Sequence, residues 1–171
     1  EEHEATRPLI DATAEILANL MNDRAFTWSG FYSRGFDLHQ WIQDPSTRPD
    51  ATYMASSAVS QPLIYTTQVA RYAAAYAQGL SEAIQAGVIA GTTGHSQGIM
   101  ASVLIAETPD GSIDLERYKA HVTYMAWQGF HMQGSFASTE QKRAQSAEAT
   151  PMAAVGNLDL DILLPVVEWV N

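Results

Sequence analysis

Gly91-Thr92-Thr93-Gly94-His95-Ser96-Gln97-Gly98-Ile99-Met100 is the stretch on which the fold and chemistry of this chain turn. The apolar run Val88-Ile89-Ala90 leads into it, and the helix-forming run Ile99-Met100-Ala101-Ser102-Val103-Leu104-Ile105 leads out. Strand, G-x-S-x-G, then helix is the context of a nucleophile elbow. In that context Ser96 occupies a strained apex with its hydroxyl exposed. Gly94 and Gly98 allow neighbouring backbone to approach closely. The amide of Gln97, at the start of a helix, can donate to a developing oxyanion. G-x-S-x-G alone also occurs in ordinary loops; the flanking strand and helix patterns favour a catalytic serine.

Working outward, 171 residues are enough for one domain with a substantial core. The formal net charge is −10, with nine Lys and Arg scattered along the chain. No basic stripe is present to follow a phosphate backbone, so a nucleic-acid partner is not expected. With no cysteines, disulfides, thiol catalysis and Cys-based metal sites are excluded. No apolar run approaches a membrane span, and Glu1-Glu2-His3-Glu4 is unlike a signal peptide. A cytoplasmic protein with no membrane partner is expected, and the missing initiator Met suggests a processed or excised piece.

Helical periodicity runs from Ala5 to Met21, with Leu9, Ile10, Thr13, Ile16, Leu17, Leu20 and Met21 on one face. Residues 22–35 read as irregular, with Trp28, Phe31 and Tyr32 packing on the domain. Residues 36–42 read as a short amphipathic turn or helix, followed by a loop rich in Asp, Ser and Pro. Ser56 and Pro62 are helix-start signals for a helix running roughly from Leu63 to Gln78 and stopping at Gly79. A short helix over 80–85 follows, and Gly87 opens the strand into the elbow. The helix after the elbow closes near Glu107, and Thr108-Pro109-Asp110-Gly111-Ser112 is a turn. A long helix is expected from Asp114 to about Gln133. A polar loop or solvated helix covers 135–150, and strands are expected at 151–155 and 165–170.

The order of these motifs resembles the acyltransferase domain of type I fatty acid synthases, of the fungal and mycobacterial kind. Gly35-Phe36-Asp37-Leu38 with Trp41-Ile42 is similar to that family's short helix before a Pro-rich loop. Val59-Ser60-Gln61-Pro62-Leu63-Ile64 with Gln68 is similar to its V-S-x-P-L-I-x-x-x-Q segment. Gly94-His95-Ser96-Gln97-Gly98 matches its nucleophile motif. Pro151-Met152-Ala153-Ala154-Val155 and Val167-Glu168-Trp169-Val170-Asn171 resemble strands of its small ferredoxin-like subdomain. The resemblance implies an α/β fold, with a hydrolase-like parallel-sheet core over residues 1–149 and the start of a ferredoxin-like subdomain over 150–171. Two departures stand out. The family's glycine-rich G-G-Q-G loop has no counterpart before the elbow. Its catalytic histidine lies in a P-x-H-S/T segment beyond the subdomain, a point this chain does not reach. A fragment of the domain, with its base elsewhere, is therefore expected.

The chemistry implied is ping-pong acyl transfer. Ser96 takes an acyl group from an acyl-CoA substrate and passes it to the phosphopantetheine thiol of an acyl carrier protein, among the other domains of a fatty acid synthase. No bound cofactor or metal is implied. Gln97 is the oxyanion donor, and His95 is a site-lining residue rather than the base, because its side chain should point away from the reacting face. His39, His121 and His131 read as packing or surface residues. Malonyl-using relatives resemble one another in an Arg-Gly step on a helix after the elbow, where the Arg pairs with the malonyl carboxylate. Here the similar step is Gln128-Gly129. Gln128 cannot neutralise a carboxylate, so a neutral acyl group such as acetyl is expected, unless Gln128 is merely a polar helix residue. Two alternatives stand beside this: an α/β-hydrolase such as an esterase or thioesterase, and a catalytically incomplete structural fragment of a megasynthase.

Overall fold

The computed structural model describes residues 2–143 together with 161, 164 and 165. The chain forms two compact units, Glu1–Ser135 and Phe136–Asn171. In order, the helices are α1 (Glu2–Leu20), α2 (Arg24–Trp28), α3 (Leu38–Gln43), α4 (Ala51–Ala55), α5 (Ser57–Ala75), α6 (Ser81–Gln85), α7 (Gly98–Ala106) and α8 (Leu115–Arg143). A 3-10 turn, Pro45–Thr47, lies between α3 and α4, and a π-type turn, Tyr76–Leu80, joins α5 to α6.

Three of the short helices begin where an aspartate can accept from free amides of the first turn. Asp23, Asp37 and Asp50 cap α2, α3 and α4 in this way. α5 ends as its sequence predicts: Gly79 takes φ +116°, a conformation side-chain-bearing residues avoid, and the chain kinks there into α6. Ser56 stands at the predicted α5 N-cap, but its hydroxyl donates back to the Tyr53 carbonyl, 2.7 Å away, and does not cap the helix.

α1, α5, α7 and α8 share one core, where Leu9, Tyr65, Val69, Leu104, Val122 and Met125 are buried together. Within it sits a closed group of hydroxyls. Thr13 Oγ1 on α1 lies 2.6 Å from Tyr118 Oη on α8 and 3.1 Å from Thr66 Oγ1 on α5. Tyr118 Oη donates to Thr66 Oγ1 at 3.2 Å, and Thr13 Oγ1 donates to the Leu9 carbonyl at 2.9 Å. Burial pushes the Tyr118 phenol above its ordinary pKa, against the opposing pull of its bonds to Thr13 and Thr66. It therefore remains a protonated donor. These bonds tie three helices together at one depth, a register that apolar contact alone leaves loose.

A second cluster is aromatic. Phe26 of α2 packs edge-on to Trp127 at 4.7 Å and stacks on Phe130 at 5.0 Å, both on α8. Phe31 and Tyr32 join it as predicted. Trp28 does not: it is 78% exposed, with Arg24 5.7 Å from its ring centroid.

The main correction concerns fold class. Among the described residues there is no strand, so the expected α/β parallel-sheet core is not present and the structure is helical. Residues 88–94 carry no regular structure, and Val88 is 76% exposed. The Val88 amide instead donates to the Ala83 carbonyl of α6, at 3.0 Å. An isolated apolar run gains nothing from extension, because a strand is stabilised by the ladder of a neighbour. No described segment supplies one. The ferredoxin-like segment 150–171 and the strand at 151–155 lie outside the described residues, apart from Asp161, Leu164 and Pro165. All three are helical, including Pro165, where a strand was expected to start.

The hydroxyl group makes a stability prediction. Tyr118→Phe and Thr13→Val should each lower unfolding free energy by about 1–3 kcal/mol, because each leaves partners buried and unpaired. In urea titrations the double variant should lose clearly less than the sum. Strict additivity would show that the hydroxyls act independently.

Candidate active site at the Ser96 elbow

The elbow forms without its expected strand. Ser96 has φ +53°, and among the described residues it is the only non-glycine with positive φ. Left-handed backbone costs a residue with a Cβ roughly 1–2 kcal/mol, so the surroundings must hold Ser96 there. Three successive bonds do so. Gly98 N donates to the His95 carbonyl (2.9 Å), Ile99 N to the Ser96 carbonyl (3.1 Å) and Met100 N to the Gln97 carbonyl (3.0 Å), winding the turn directly into α7.

Gly94 allows the close backbone approach expected of it, whereas Gly98 does not require a missing side chain. A Cβ on Gly94 would lie 2.2 Å from both the carbonyl carbon and oxygen of Gly98, and 2.5 Å from Ile99 N. Only a hydrogen fits at Gly94. A Cβ on Gly98 would meet only the Gln68 carboxamide nitrogen, at 3.8 Å.

Ser96 is exposed and Gln97 half-buried at the N-terminus of α7. The Gln97 backbone amide makes no hydrogen bond among the described residues, which leaves it free for an incoming oxygen. Its side chain serves as an anchor, with Nε2 donating to the main-chain carbonyl of Gln61 on α5. The residue after Ser96 is thus fastened to a neighbouring helix, a link that motif spacing does not reveal. Upstream, Thr92 Oγ1 donates to the Ser102 carbonyl at 2.9 Å and ties the approach segment to α7.

His95 is exposed beside Ser96, and its carbonyl rather than its ring takes part in the turn. Gln128 is half-buried on α8. Its neighbour Gly129 is pressed against α5, where a Cβ would sit 2.4 Å from the Ser57 carbonyl oxygen and 3.0 Å from Gln61 Cβ. Gln133, one turn further on, accepts from the Ser57 amide at 2.8 Å and caps α5 from another helix. Gly129 and Gln133 therefore seat the start of α5.

No histidine ring bonds to Ser96 among the described residues. His121 Nδ1 lies 3.1 Å from the Tyr65 hydroxyl, His131 stacks on Trp127 at 5.8 Å, and His39 Nε2 is 3.6 Å from Asp11 Oδ1. Among the described residues there is also no group of three metal-ligating side chains and no helix long and apolar enough to cross a membrane.

Residues 10–168 match the family model described as starter unit:ACP transacylase in aflatoxin biosynthesis. That match takes in the elbow, α5 and the Gln128-Gly129 step. The chain belongs to the starter-unit transacylase family. Its relatives include the fatty acid synthase subunit beta of Schizosaccharomyces pombe, 28% identical over 84% of this chain and 7% of that protein. The corresponding subunit of Saccharomyces cerevisiae is 26% identical over 91% of this chain and 8% of its own length. In Aspergillus oryzae it is 31% identical over 72% and 6%. The chain thus spans under a tenth of the length of these synthase subunits. Membership in the transacylase family bears out the resemblance seen in the motifs.

Backbone strain and close packing at the elbow are separable by substitution. Ser96→Gly and Ser96→Ala both remove the hydroxyl, but only glycine relieves the left-handed strain. The glycine variant should be more stable by about 0.5–1 kcal/mol, once glycine's extra unfolded-state entropy is set against the relief. Equal stabilities in denaturant titrations would refute strain at this position. Gly94→Ala should destabilise by about 1–3 kcal/mol through overpacking. Gly91→Ala, where a Cβ meets nothing within 4 Å, should be near neutral.

Proposed function

We propose that this chain carries the acyl-accepting serine of a starter-unit acyltransferase acting in fatty acid or polyketide synthesis. The observation that supports it most directly is Ser96 at φ +53°, held over the start of α7 beside an unengaged Gln97 amide, in a member of the transacylase family.

In the first half-reaction Ser96 Oγ attacks the thioester carbonyl of an acyl-CoA. The C–O bond forms, the C–S bond breaks, and the serine proton passes through a base to the departing CoA thiolate. The carbonyl oxygen becomes negative in the tetrahedral intermediate, where the Gln97 amide can donate to it. In the second half, the phosphopantetheine thiol of an acyl carrier protein attacks the acyl-serine ester. The C–S bond re-forms, the C–O bond breaks, and Oγ recovers a proton. A serine hydroxyl needs such a base to be an effective nucleophile. His121 and His131 are engaged with aromatic partners, so the proposal assigns the base to neither. The carrier protein and the remaining synthase domains are the partners this reading requires.

The acyl group is proposed to be neutral, acetyl above all. Gln128 stands where malonyl-using relatives resemble one another in carrying arginine, and a carboxylate buried beside a carboxamide lacks its counter-charge. In the intact domain, where the rest of the polypeptide supplies the base, incubation with acetyl-CoA should add one acetyl group at Ser96, detected by peptide mass spectrometry, and Ser96→Ala should abolish the label. Malonyl-CoA should label at least tenfold more slowly. An equal or faster malonyl rate would overturn the neutral-acyl assignment, and labelling that survives in Ser96→Ala would overturn the elbow assignment.

A further inference from the structure

Two side chains beneath the elbow break the rule that buried polar atoms find partners. Gln61 Oε1 and Gln68 Oε1 are sealed from solvent, and neither has a hydrogen-bond partner. Both lie on α5, two helical turns apart, and so on one face of it. Both touch the site: the Gln61 carbonyl holds the Gln97 side chain, and the Gln68 carboxamide nitrogen lies against Gly98. On the same helix, Thr66 is satisfied by Thr13 and Tyr118, and Thr67 by the Leu63 carbonyl. Two unpaired side-chain oxygens on the helix that meets Gly98 and Gln97 call for an explanation other than packing, which leucine or methionine would do at lower cost.

A carboxamide offers a donor and an acceptor, and a half-turn about its last bond exchanges them. The chemical group that matches it best is another amide. The thiol arm shared by coenzyme A and a carrier protein contains two amides, set back from the sulfur along the chain. We propose that Gln61 and Gln68 form a binding site for the amides of this pantetheine arm, with Gln68 the principal contact. This rests on the reading of Ser96 as the acyl-accepting nucleophile, and it assigns to α5 the recognition of the arm common to donor and acceptor. It explains why these oxygens are unsatisfied in the free protein: their partners arrive with the substrate.

The test compares donors that differ only in amides. S-acetylpantetheine carries two and S-acetyl-2-mercaptoethanol carries none. Gln68→Leu should lower the preference for the first over the second about tenfold, measured as the ratio of Ser96 acetylation rates. It should also weaken binding of pantetheine itself by a similar factor in calorimetry. Gln68→Met, an unbranched helix former, guards against misfolding, with far-UV circular dichroism reporting helix content. Thr67→Ala, on the exposed side of α5, should leave the ratio unchanged. Repeating the comparison with acetyl-CoA as donor, and with a holo carrier protein as acceptor, separates the two sources of the arm; loss in either supports the site. An unchanged ratio and unchanged pantetheine binding in both Gln68 variants would overturn the proposal. A wild-type protein that binds pantetheine in a Gln68-dependent way yet never labels Ser96 would support the site while refuting the Ser96 reading.

Discussion

The elbow depends on a contact made on another helix, the seating of α5 against Gly129 of α8. A Cβ at Gly129 would lie 2.4 Å from the Ser57 carbonyl oxygen, so the two backbones meet as closely as a glycine permits. That approach brings Gln133 within 2.8 Å of the Ser57 amide, one of the free donors at the start of α5, and a bond of this kind contributes about 0.5–1.5 kcal/mol. With the first turn of α5 fixed, the Gln61 carbonyl is placed to receive Gln97 Nε2. Gln97 adjoins Ser96, so Ser96 inherits its position through Gly129 and Gln133 of α8, Ser57 and Gln61 of α5, and Gln97 at the start of α7. A side chain at position 129 would push α5 away, and the Gln61–Gln97 bond would lengthen with it.

The strain at Ser96 becomes intelligible in that setting. A left-handed serine is disfavoured locally, and a turn alone would relax it. Here it is bracketed by the Gly94–Gly98 contact on one side and the Gln97 anchor on the other. Three backbone bonds in sequence join the apex to α7. Relaxing φ would have to break more than one of these together, which is how strain persists at functional sites.

Much of this was legible in the residues because the signals are local. Helical spacing placed α1, α5, α7 and α8, Gly79 marked the end of α5, and the elbow followed from Gly94, Ser96 and Gly98. What escaped is non-local. The cap on α5 comes from Gln133, distant in sequence, while the obvious local candidate, Ser56, bonds elsewhere. Gly129 looked like half of a substrate-recognition step and proves to be a packing necessity. α2 was missed because a five-residue helix has no period to detect, although Asp23 before it is a capping signal. The strand at 88–90 failed for the complementary reason. Val88-Ile89-Ala90 has strand composition, but pairing needs a partner, and composition cannot supply one.

The two faces of α5 show how one helix divides stability from chemistry. Toward α1 and α8, Thr66 joins Thr13 and Tyr118 in a network where each hydroxyl has a partner, and Val69 and Tyr65 are fully buried around it. Elsewhere on the helix, Gln61, whose side chain starts against Gly129, and Gln68, whose carboxamide lies against Gly98, carry oxygens with none among the described residues. Unsatisfied groups of this kind cost stability, and a helix can tolerate them only where its other face is over-determined. The satisfied face makes α5 a rigid floor, so the idle carboxamides cannot relax toward other partners by tilting the helix. A polar group held rigid and unpaired is preorganised for a ligand, since its desolvation has already occurred in the folded protein and need not be repeated when the ligand binds.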